Sequence, residues 1–344
     1  MRVIRNKIET LKKYVSWAKK LWHPGKRVAY LMGTPVHTNI GDAAIAIAEK
    51  HFLSRCGYDL VVDIPTDQVW ECARCIRRLL PAKAPVYLLG GGNMGDQYPP
   101  EENLRRKVLT EFSAHTMVIF PQTIHYSDGE LGKQMEKESI ELYKQCSDLT
   151  IVARETTSYG KMRQLYPNNQ VLLTPDIVLS MEGRSYSQRR NGVLMCLRND
   201  GEKAMSGDIY HSLLHVVRSW GQKVEPIDMI ADKPISPALR DMVVETQMKR
   251  FSCAELVITD RLHGMVFAAL TGTPCIVFRN YNHKVLGTYE WIQYLPYIRY
   301  AESVDDVEKY LPELLAMENC EYDNTPLMPY FEKLAEVVKK YAAN

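Results

Sequence analysis

The sequence predicts an α/β protein built from two doubly wound, Rossmann-like domains. First, 344 residues are too many for one compact core and suit two domains of ordinary size. Second, short apolar strands alternate with polar loops and helices from Arg27 onward, and the same alternation starts again at Val193. We therefore expect one domain over residues 23–182 and another over residues 183–325, which the polar loop at 183–191 separates.

Composition narrows the possible classes of function. The 43 Lys and Arg nearly balance the 41 Asp and Glu, so charge gives no argument for a nucleic-acid partner. No apolar run approaches the roughly eighteen residues of a membrane span, and the amino terminus lacks the apolar stretch of a signal peptide. We therefore expect a cytoplasmic protein. The 8 scattered cysteines form no disulfide framework and are expected to be reduced thiols.

Two short spacings could indicate a metal site. Cys72 and Cys75 form a C-x-x-C pair, but no second pair follows. His211 and His215 lie one helical turn apart, but no third ligand is visible. We predict no metal site and no redox cofactor.

Both ends of the chain are predicted to be helices. Residues 1–22 carry seven Lys and Arg against one Glu, interleaved with apolar positions. Such a helix either lies peripherally on an anionic membrane surface or packs on its own domain or on the partner of a homo-oligomer. The last helix, within residues 326–344, can cross back onto the first domain.

The loop after the first predicted strand, Val28 to Met32, is rich in polar side chains. It contains His37 and Asn39, and a helix begins at about Asp42. Asp42 is either the N-cap of this helix or a carboxylate of the site, and the two roles are compatible. We include His37, Asn39 and Asp42 among the candidate site residues.

A glycine run follows the strand Val86 to Leu89 and spells G-x-G-x-x-G from Gly90 onward. The context does not fit a dinucleotide site, because Pro99 and Pro100 prevent a helix from starting at once and no acidic residue ends the next strand. We instead expect the glycines to let the backbone approach a ligand or the opposing domain. The candidate residues here are Gly91, Gly92 and Asn93, whose side chain offers an amide.

Basic side chains follow several strands. Arg154 comes after Leu149 to Ala153, and Arg198 comes after Val193 to Leu197. Open α/β sheets bind ligands beyond the carboxyl ends of their strands, where helix N-termini carry partial positive charge. Arginines at these ends suit a small carboxylated or phosphorylated substrate.

The segment from Leu256 to Phe278 is the centre of the predicted site. A short strand runs into Asp260-Arg261-Leu262-His263-Gly264, and an entirely apolar, buried helix and a second strand follow. Arg261 and His263 would thus be held by a rigid core element. The alternative is that Arg261 pairs with Asp260 and that His263 caps the helix.

Six short motifs follow one another along the chain. They are H-T-N-I-G-D (His37 to Asp42), G-G-G-N (Gly90 to Asn93), A-R-E-T-T-S (Ala153 to Ser158), P-D (Pro175-Asp176), L-R-N-D-x-E (Leu197 to Glu202) and D-R-L-H-G (Asp260 to Gly264). In this order they resemble the polysaccharide pyruvyl transferase family over residues 27–279. Each motif alone is weak, but six in order are specific.

This resemblance implies two Rossmann-like domains in a glycosyltransferase-B-like arrangement, with an interdomain cleft between an acceptor-side first domain and a donor-side second domain. It also implies transfer of a pyruvyl group from phosphoenolpyruvate onto paired hydroxyls of a free or lipid-linked saccharide, as a cyclic ketal, without a cofactor. Arg154, Arg261 and His263 would hold phosphoenolpyruvate, with Lys284 as a further basic group.

Our mechanistic hypothesis assigns the proton transfers. His263 would protonate the methylene carbon, and Asp42 or His37 would remove a proton from the sugar hydroxyl. Two other functions fit the same fold: a glycosyltransferase with a nucleotide-sugar donor, and a catalytically silent scaffold of an envelope polysaccharide assembly.

Overall fold

The computed structural model describes residue 12 and residues 14–186, 189–198, 206–278, 283–318 and 320–343. Three predicted features therefore lie wholly or partly outside the described residues: most of the basic segment 1–22, the end of the L-R-N-D-x-E motif, and most of the loop before Lys284. Within the described ranges, no helix combines the length and the apolar character that crossing a bilayer requires.

The described part of the basic segment forms helix α1 (residues 14–21), which packs on the first sheet. Trp17 and Leu21 are buried in the core on one face of that sheet, and the Tyr30 hydroxyl donates to the Leu21 carbonyl at 2.8 Å. Trp22, just beyond the helix, is 72% exposed. The described turns thus bury their apolar face against their own domain.

The first sheet has seven strands within the described residues, and all its pairs are parallel. Its order is β2-β1-β3-β5-β6-β7, and β4 extends it by pairing with the end of β5. The strands are β1 (Val28–Thr34), β2 (Leu60–Pro65), β3 (Val86–Leu88), β4 (Gly91–Gly95), β5 (Met117–His125), β6 (Leu149–Ala153) and β7 (Gln170–Leu173). The connecting helices are α2 (Ile40–Arg55), α3 (Thr66–Leu79), α4 (Pro99–Glu111), α5 (Glu130–Lys144) and α6 (Thr156–Leu165).

The second sheet has five strands in the described chain, also all parallel, in the order β12-β11-β10-β8-β9. Its strands are β8 (Val193–Cys196), β9 (Val224–Ile227), β10 (Leu256–Thr259), β11 (Cys275–Phe278) and β12 (Ile298–Ala301). The accompanying helices are α7 (Gly207–Ser219), α8 (Arg240–Ser252), α9 (Leu262–Leu270), α10 (Lys284–Ile292), α11 (Val304–Leu315) and α12 (Met328–Ala342). We call the layers around the two sheets the first and second domains.

Each sheet reverses its strand order once. The reversal lies between β1 and β3 in the first sheet and between β8 and β10 in the second. At such a switch point the loops leave in opposite directions and open a crevice beyond the carboxyl ends of the strands. The fold therefore provides one crevice in each domain.

A continuous core joins the two domains. It includes the apolar faces of α2 from the first domain and of α8 and α9 from the second. Helix α9 is buried on all sides because Met265 to Leu270 are all apolar. The last helix, α12, also reaches the first domain, where Phe331 packs on Phe52 and the Tyr341 hydroxyl lies 3.3 Å from Asp148.

Polar contacts also join the domains next to the β1 loop. Arg240 of α8 is almost fully buried, pairs with Asp63, and donates to Thr34 Oγ1 at 2.9 Å and to the Pro35 carbonyl at 2.8 Å. Asn39 and Ile230 form an isolated antiparallel bridge. We call this bridge and its flanking backbone hydrogen bonds the interdomain seam.

No helix starts directly on the glycine run, as predicted, since β4 occupies it and α4 begins only at Pro99. The prolines are not the reason, because they form the first two positions of α4. The first positions of a helix have no partner for their N–H groups, so proline fits there without loss of a hydrogen bond. In addition, Gly91 to Gly95 form strand β4 rather than a free turn.

Candidate active site

The carboxyl ends of both sheets face a single cavity of about 280 Å³. Every predicted site residue except Gly91 lines it: His37, Asn39, Asp42, Gly92, Asn93, Arg154, Arg198, Arg261, His263 and Lys284. Gly91 is buried in β4, directly before this wall. The cavity therefore gathers side chains that lie as far as 247 residues apart in the chain, from His37 to Lys284.

Five further residues complete the lining: Thr38, Tyr98, Glu101, Met229 and Leu262. Tyr98 and Glu101 come from the start of α4. Neither was among the predicted site residues. A helix that starts on the prolines brings both residues to the cavity.

Asp176 lies between two predicted ligand-binding residues of different domains. Its Oδ2 atom is 3.0 Å from Arg154 Nη1 and 3.5 Å from His263 Nε2. Arg154 and Asp176 are each only 2% exposed in their side chains. Burial on its own would raise the pKa of Asp176, but the charges of His263 and Arg154 outweigh it and lower that pKa. Asp176 is therefore a buried carboxylate that contacts Arg154 and His263 at the same time.

The other groups of Arg154 fix its orientation. Nε donates to Thr123 Oγ1 at 2.7 Å, while Nη1 contacts Asp176. The remaining nitrogen, Nη2, lies against Gly92, since a Cβ atom added there would come within 2.5 Å of it. Glycine at position 92 thus leaves Nη2 uncovered at the wall of the cavity.

His263 has two different surroundings at its two ring nitrogens. Nε2 is buried on the Asp176 side. Nδ1 lies on the side of Gly41, where an added Cβ atom would come within 2.3 Å of it. The sequence alternative in which His263 caps α9 is wrong, because Arg261 occupies the N-cap and no side chain caps this helix.

Arg261 and Arg198 are each fixed by an acidic residue at a strand end. Arg261 Nη2 lies 2.6 Å from Asp228, which follows β9, and the backbone N–H of Arg198 donates to Asp260 at 2.8 Å. The alternative prediction that Arg261 pairs with Asp260 is therefore wrong, because Arg261 pairs with Asp228. Burial raises the pKa of Asp260, while its bond from Arg198 opposes this shift.

Lys284 is the first residue of α10, a helix that the sequence did not predict. Tight packing holds this helix: a Cβ atom on Gly287 would come within 2.7 Å of Glu155. Glu155 also lies 3.2 Å from His283 Nε2 and caps α6 through Ser158. Lys284 is consequently held at the cavity by contacts between the domains.

The acidic wall belongs to the first domain. Asn39, not Asp42, caps α2, since its side chain accepts from the backbone N–H groups of Gly41 and Asp42 at 2.9 and 3.3 Å. Asp42 lies in the first turn, and its carboxylate is 3.5 Å from His37 Nε2. The carboxylate is thereby available to the cavity.

Asp176 and Asp228 contact predicted site residues, but neither was itself predicted to have a role. Asp228 directly follows β9, which ends at Ile227. Asp176 follows the short turn that leads from the end of β7 through Pro175. The rule that indicated Arg154 and Arg198 applies equally to acidic residues at strand ends, so it could have identified both.

The chain is similar to proteins of one known family. The family description "Polysaccharide pyruvyl transferase" matches residues 39–283. General stress protein 30 of Bacillus subtilis (strain 168) is 34% identical over 322 residues, which cover 89% of this chain and 92% of that protein. Pyruvyl transferase 1 of Schizosaccharomyces pombe (strain 972 / ATCC 24843) is 30% identical over 316 residues, which cover 86% of this chain and 77% of the relative.

Solved structures share the fold. The UDP-GlcNAc 2-epimerase of Methanocaldococcus jannaschii matches with a TM-score of 0.50 at 11% identity, over 91% of this chain and 99% of that one. This likeness confirms the predicted arrangement of two Rossmann-like domains around a cleft, as in glycosyltransferase-B proteins. At such low identity it concerns the fold alone.

Proposed function

The chain belongs to the polysaccharide pyruvyl transferase family, and from that premise we propose that it transfers the pyruvyl group of phosphoenolpyruvate onto two hydroxyls of a sugar. The products are a cyclic ketal on a surface-polysaccharide precursor and inorganic phosphate. One observation carries this proposal. Basic side chains from both domains line the same small cavity: Arg154, Arg198, Arg261, His263 and Lys284.

Phosphoenolpyruvate needs several fixed cations because it carries a carboxylate and a phosphate. Each charge-assisted hydrogen bond contributes about 1.5 to 3 kcal/mol. The size of the cavity also supports a small donor. At about 280 Å³ it lies just below the roughly 300 to 1,000 Å³ that is usual for drug-sized ligands.

In the proposed reaction, His263 gives a proton to the methylene carbon, whose double-bond electrons form the new C–H bond. The neighbouring carbon becomes electrophilic, and a sugar hydroxyl attacks it while losing its proton to Asp42 or His37. The C–O bond to phosphate then breaks, and the basic side chains hold the leaving dianion. The second hydroxyl closes the ring, so one diol proton ends on the new methyl group and the other on phosphate.

The surroundings of His263 support Nδ1 as the donating nitrogen. Asp176 lies beside Nε2 and can hold its proton, in the way a carboxylate orients a catalytic histidine. Nε2 is buried, so Nδ1, which lies against the backbone of Gly41, is the nitrogen left for the transfer. Asp176 would then act as a positioning residue that stabilises the imidazolium form.

Isothermal titration calorimetry and a phosphate-release assay test the proposed function. We expect phosphoenolpyruvate to bind and uridine diphosphate not to bind. We also expect phosphate release to require a sugar, in a panel of methyl glucoside, galactoside and mannoside and mixed bacterial lipid-linked saccharides. Binding of uridine diphosphate alone would instead support the glycosyltransferase, and binding of neither compound would support the silent scaffold.

The acceptor is either free or lipid-linked, and residues 1–22 bear on this choice. We propose that the basic segment brings the protein to an anionic membrane surface where a lipid-linked acceptor is present. Replacement of Arg2, Arg5 and Lys7 by Glu, which keeps the buried Trp17 and Leu21 in place, should then reduce sedimentation with anionic vesicles and leave activity on a soluble glycoside unchanged. Loss of activity on the soluble glycoside would show that the segment acts through the fold instead.

A further inference from the structure

The cavity has acidic and amide-bearing lining residues that an anionic donor does not explain. Asp42, Asn93, Tyr98 and Glu101 come from the first domain and line the cavity together with the basic side chains. Carboxylates repel phosphate and accept hydrogen bonds from hydroxyls. These residues therefore suit the neutral sugar, and the orientation of their polar groups decides whether they can recognise it.

The orientation of Asn93 is fixed from behind. Its Oδ1 atom accepts a hydrogen bond of 2.5 Å from Arg105 Nη2. A guanidinium group has only donors, so the atom it contacts must be the amide oxygen and not the nitrogen. The Nδ2 group is consequently turned away from Arg105.

Nδ2 and the Asp42 carboxylate are both neighbours of Gly91. Asn93 Nδ2 and Asp42 Oδ1 each lie 3.9 Å from the position that a Cβ atom on Gly91 would occupy, and Ile45 Cδ1 lies 3.7 Å from it. Gly91 has a φ of 135°, a conformation that favours glycine. Since Asn93 and Asp42 both line the cavity, a donor and an acceptor are available there.

Arg105 is held in turn by a buried carboxylate. It is 5% exposed and pairs with Glu102, which is fully buried and three residues earlier on the same face of α4. Glu102 also accepts from the backbone N–H of Gly95 at 3.1 Å and from Ser139 Oγ at 3.0 Å. This carboxylate ties α4 to Gly95 at the end of β4 and to Ser139 of α5, and neither member of the pair lines the cavity.

We propose that the buried Glu102–Arg105 pair is the positioning unit of the acceptor subsite, which fixes Asn93 so that Nδ2 donates to one hydroxyl of the acceptor diol while Asp42 accepts from a hydroxyl. This inference rests on the proposed function and deepens it. It assigns recognition of the neutral diol to a donor and acceptor pair of the first domain, and it makes Asn93 a specificity-determining residue.

Four variants test the inference: Asn93→Asp, Asn93→Ala, Arg105→Met and, as the matched control, Arg106→Gln. Arg106 also lies next to Glu102, at 3.4 Å, but its described contacts do not include Asn93. Asn93→Asp keeps an oxygen for Arg105 but replaces the N–H donor with a charged carboxylate oxygen, whereas Asn93→Ala removes the amide without adding charge. We expect Asn93→Ala to raise KM for the methyl glycoside that the wild type uses best about 10-fold, with phosphoenolpyruvate affinity changed less than about threefold.

Arg105→Met should raise the same KM, and the double variant Asn93→Ala/Arg105→Met should be no worse than Asn93→Ala alone, since both remove one interaction. Arg106→Gln should leave the KM unchanged. Additive effects of Arg105→Met and Asn93→Ala, or a loss of phosphoenolpyruvate affinity instead of acceptor affinity, would overturn the inference.

A structural readout keeps the test independent of activity and of folding failure. The side-chain amide signal of Asn93 in a ¹⁵N–¹H NMR spectrum should be single and dispersed in the wild type and in Arg106→Gln. In Arg105→Met it should move towards the position typical of an exposed asparagine. An unchanged signal would refute the positioning role. A wild-type protein that binds no phosphoenolpyruvate would instead refute the proposed function and leave this readout valid.

Discussion

The imidazole ring of His263 lies directly on the backbone of Gly41, so that a Cβ atom at position 41 would come within 2.3 Å of Nδ1 and 2.6 Å of Cγ. Gly41 begins the first turn of α2 in the first domain, while His263 is in the first turn of α9 in the second. The two helix N-termini therefore meet at this contact, and the absence of one side chain decides how closely they approach.

Gly41→Ala should consequently displace His263 and lower kcat by about 10²-fold, because a shift of about 1 Å at a reacting group can cost that much. The measurement is phosphate release from phosphoenolpyruvate with a methyl glycoside. Gly160→Ala on α6 is the matched control, since nothing lies within 4 Å of its added Cβ and alanine favours a helix. Equal activity in both variants would contradict a role for the Gly41 contact.

His263→Ala should lower kcat by about 10² to 10⁴-fold while phosphoenolpyruvate still binds, as is usual when a general acid is removed. Calorimetry and phosphate release measure the two effects separately. The exposed His211 provides the control substitution, His211→Ala. Full activity of His263→Ala would refute the proposed role of His263 as the proton donor.

Asp176→Asn should shift the pH dependence of catalysis as well as its rate. The imidazolium form of His263 would lose its neighbouring negative charge, so the alkaline limb of kcat/KM against pH should move to lower pH. The same change affects folding. The pKa of Asp176 is lowered in the folded protein, so its contribution to stability is present above the unfolded pKa of about 3.9 and lost as pH falls.

The control for Asp176→Asn is Asp59→Asn, which removes an exposed pair with Arg27. Its pH–rate profile should match that of the wild type. A profile of Asp176→Asn that is lower but not shifted would indicate a purely structural role.

Arg240→Met should destabilise the protein by about 3 to 5 kcal/mol, because it leaves Asp63 without its buried partner. Urea unfolding measures this free energy. The double variant Asp63→Asn/Arg240→Met should recover part of the loss, since no unpaired charge then remains. A double variant that loses the full sum of both single changes would show that the two residues act independently.

Glu49 gives a pH-dependent prediction of the opposite sign to Asp176. Its side chain is fully buried, with Oε1 bound to the Gly90 N–H at 2.8 Å. Burial raises the pKa of Glu49 well above its ordinary value, and the nearby Asp176 and Asp63 act in the same direction. The contribution of Glu49 to stability is therefore present below the unfolded pKa of about 4.3 and is lost as pH rises, by about 1.4 kcal/mol per pH unit.

Glu49→Gln removes this dependence. The free energy of unfolding of the variant should therefore increase relative to that of the wild type between pH 5 and pH 8. Urea unfolding across this range is the measurement. Glu138→Gln is the control, because Glu138 is half exposed and hydrogen bonds from Gln134 and Arg106 lower its pKa. A constant difference between Glu49→Gln and the wild type would contradict the prediction.

Much of the fold follows from apolar runs in the sequence. The predicted strands Leu149 to Ala153, Leu256 to Thr259 and Cys275 to Phe278 have the observed bounds. These are internal strands, whose residues are apolar because helices cover both faces. Two of the edge strands, β7 and β12, were not predicted, since the exposed Gln170 and the half-buried Arg299 interrupt their pattern.

The sequence predicted most of the residues that line the site, but it did not predict which of them form ion pairs. Strand-end position indicates that Arg154, Arg261 and His263 approach one another, because parallel strands present all their carboxyl ends at one edge. It does not indicate which carboxylate each cation meets. That depends on how the two sheets face each other, as the shared contact of Arg154 and His263 with Asp176 illustrates.

The interdomain seam has a practical consequence for changing the specificity of this enzyme family. The backbone N–H of Ile40 donates to Met229, that of Ala231 to Thr38 and that of Ile235 to His37, at 2.8, 2.8 and 3.1 Å. The segment that presents His37 and Asn39 thus takes its shape from a loop of the opposite domain. Exchanging residues 229–235 between relatives should therefore change which saccharide binds. The side chains proposed to transfer protons would stay the same.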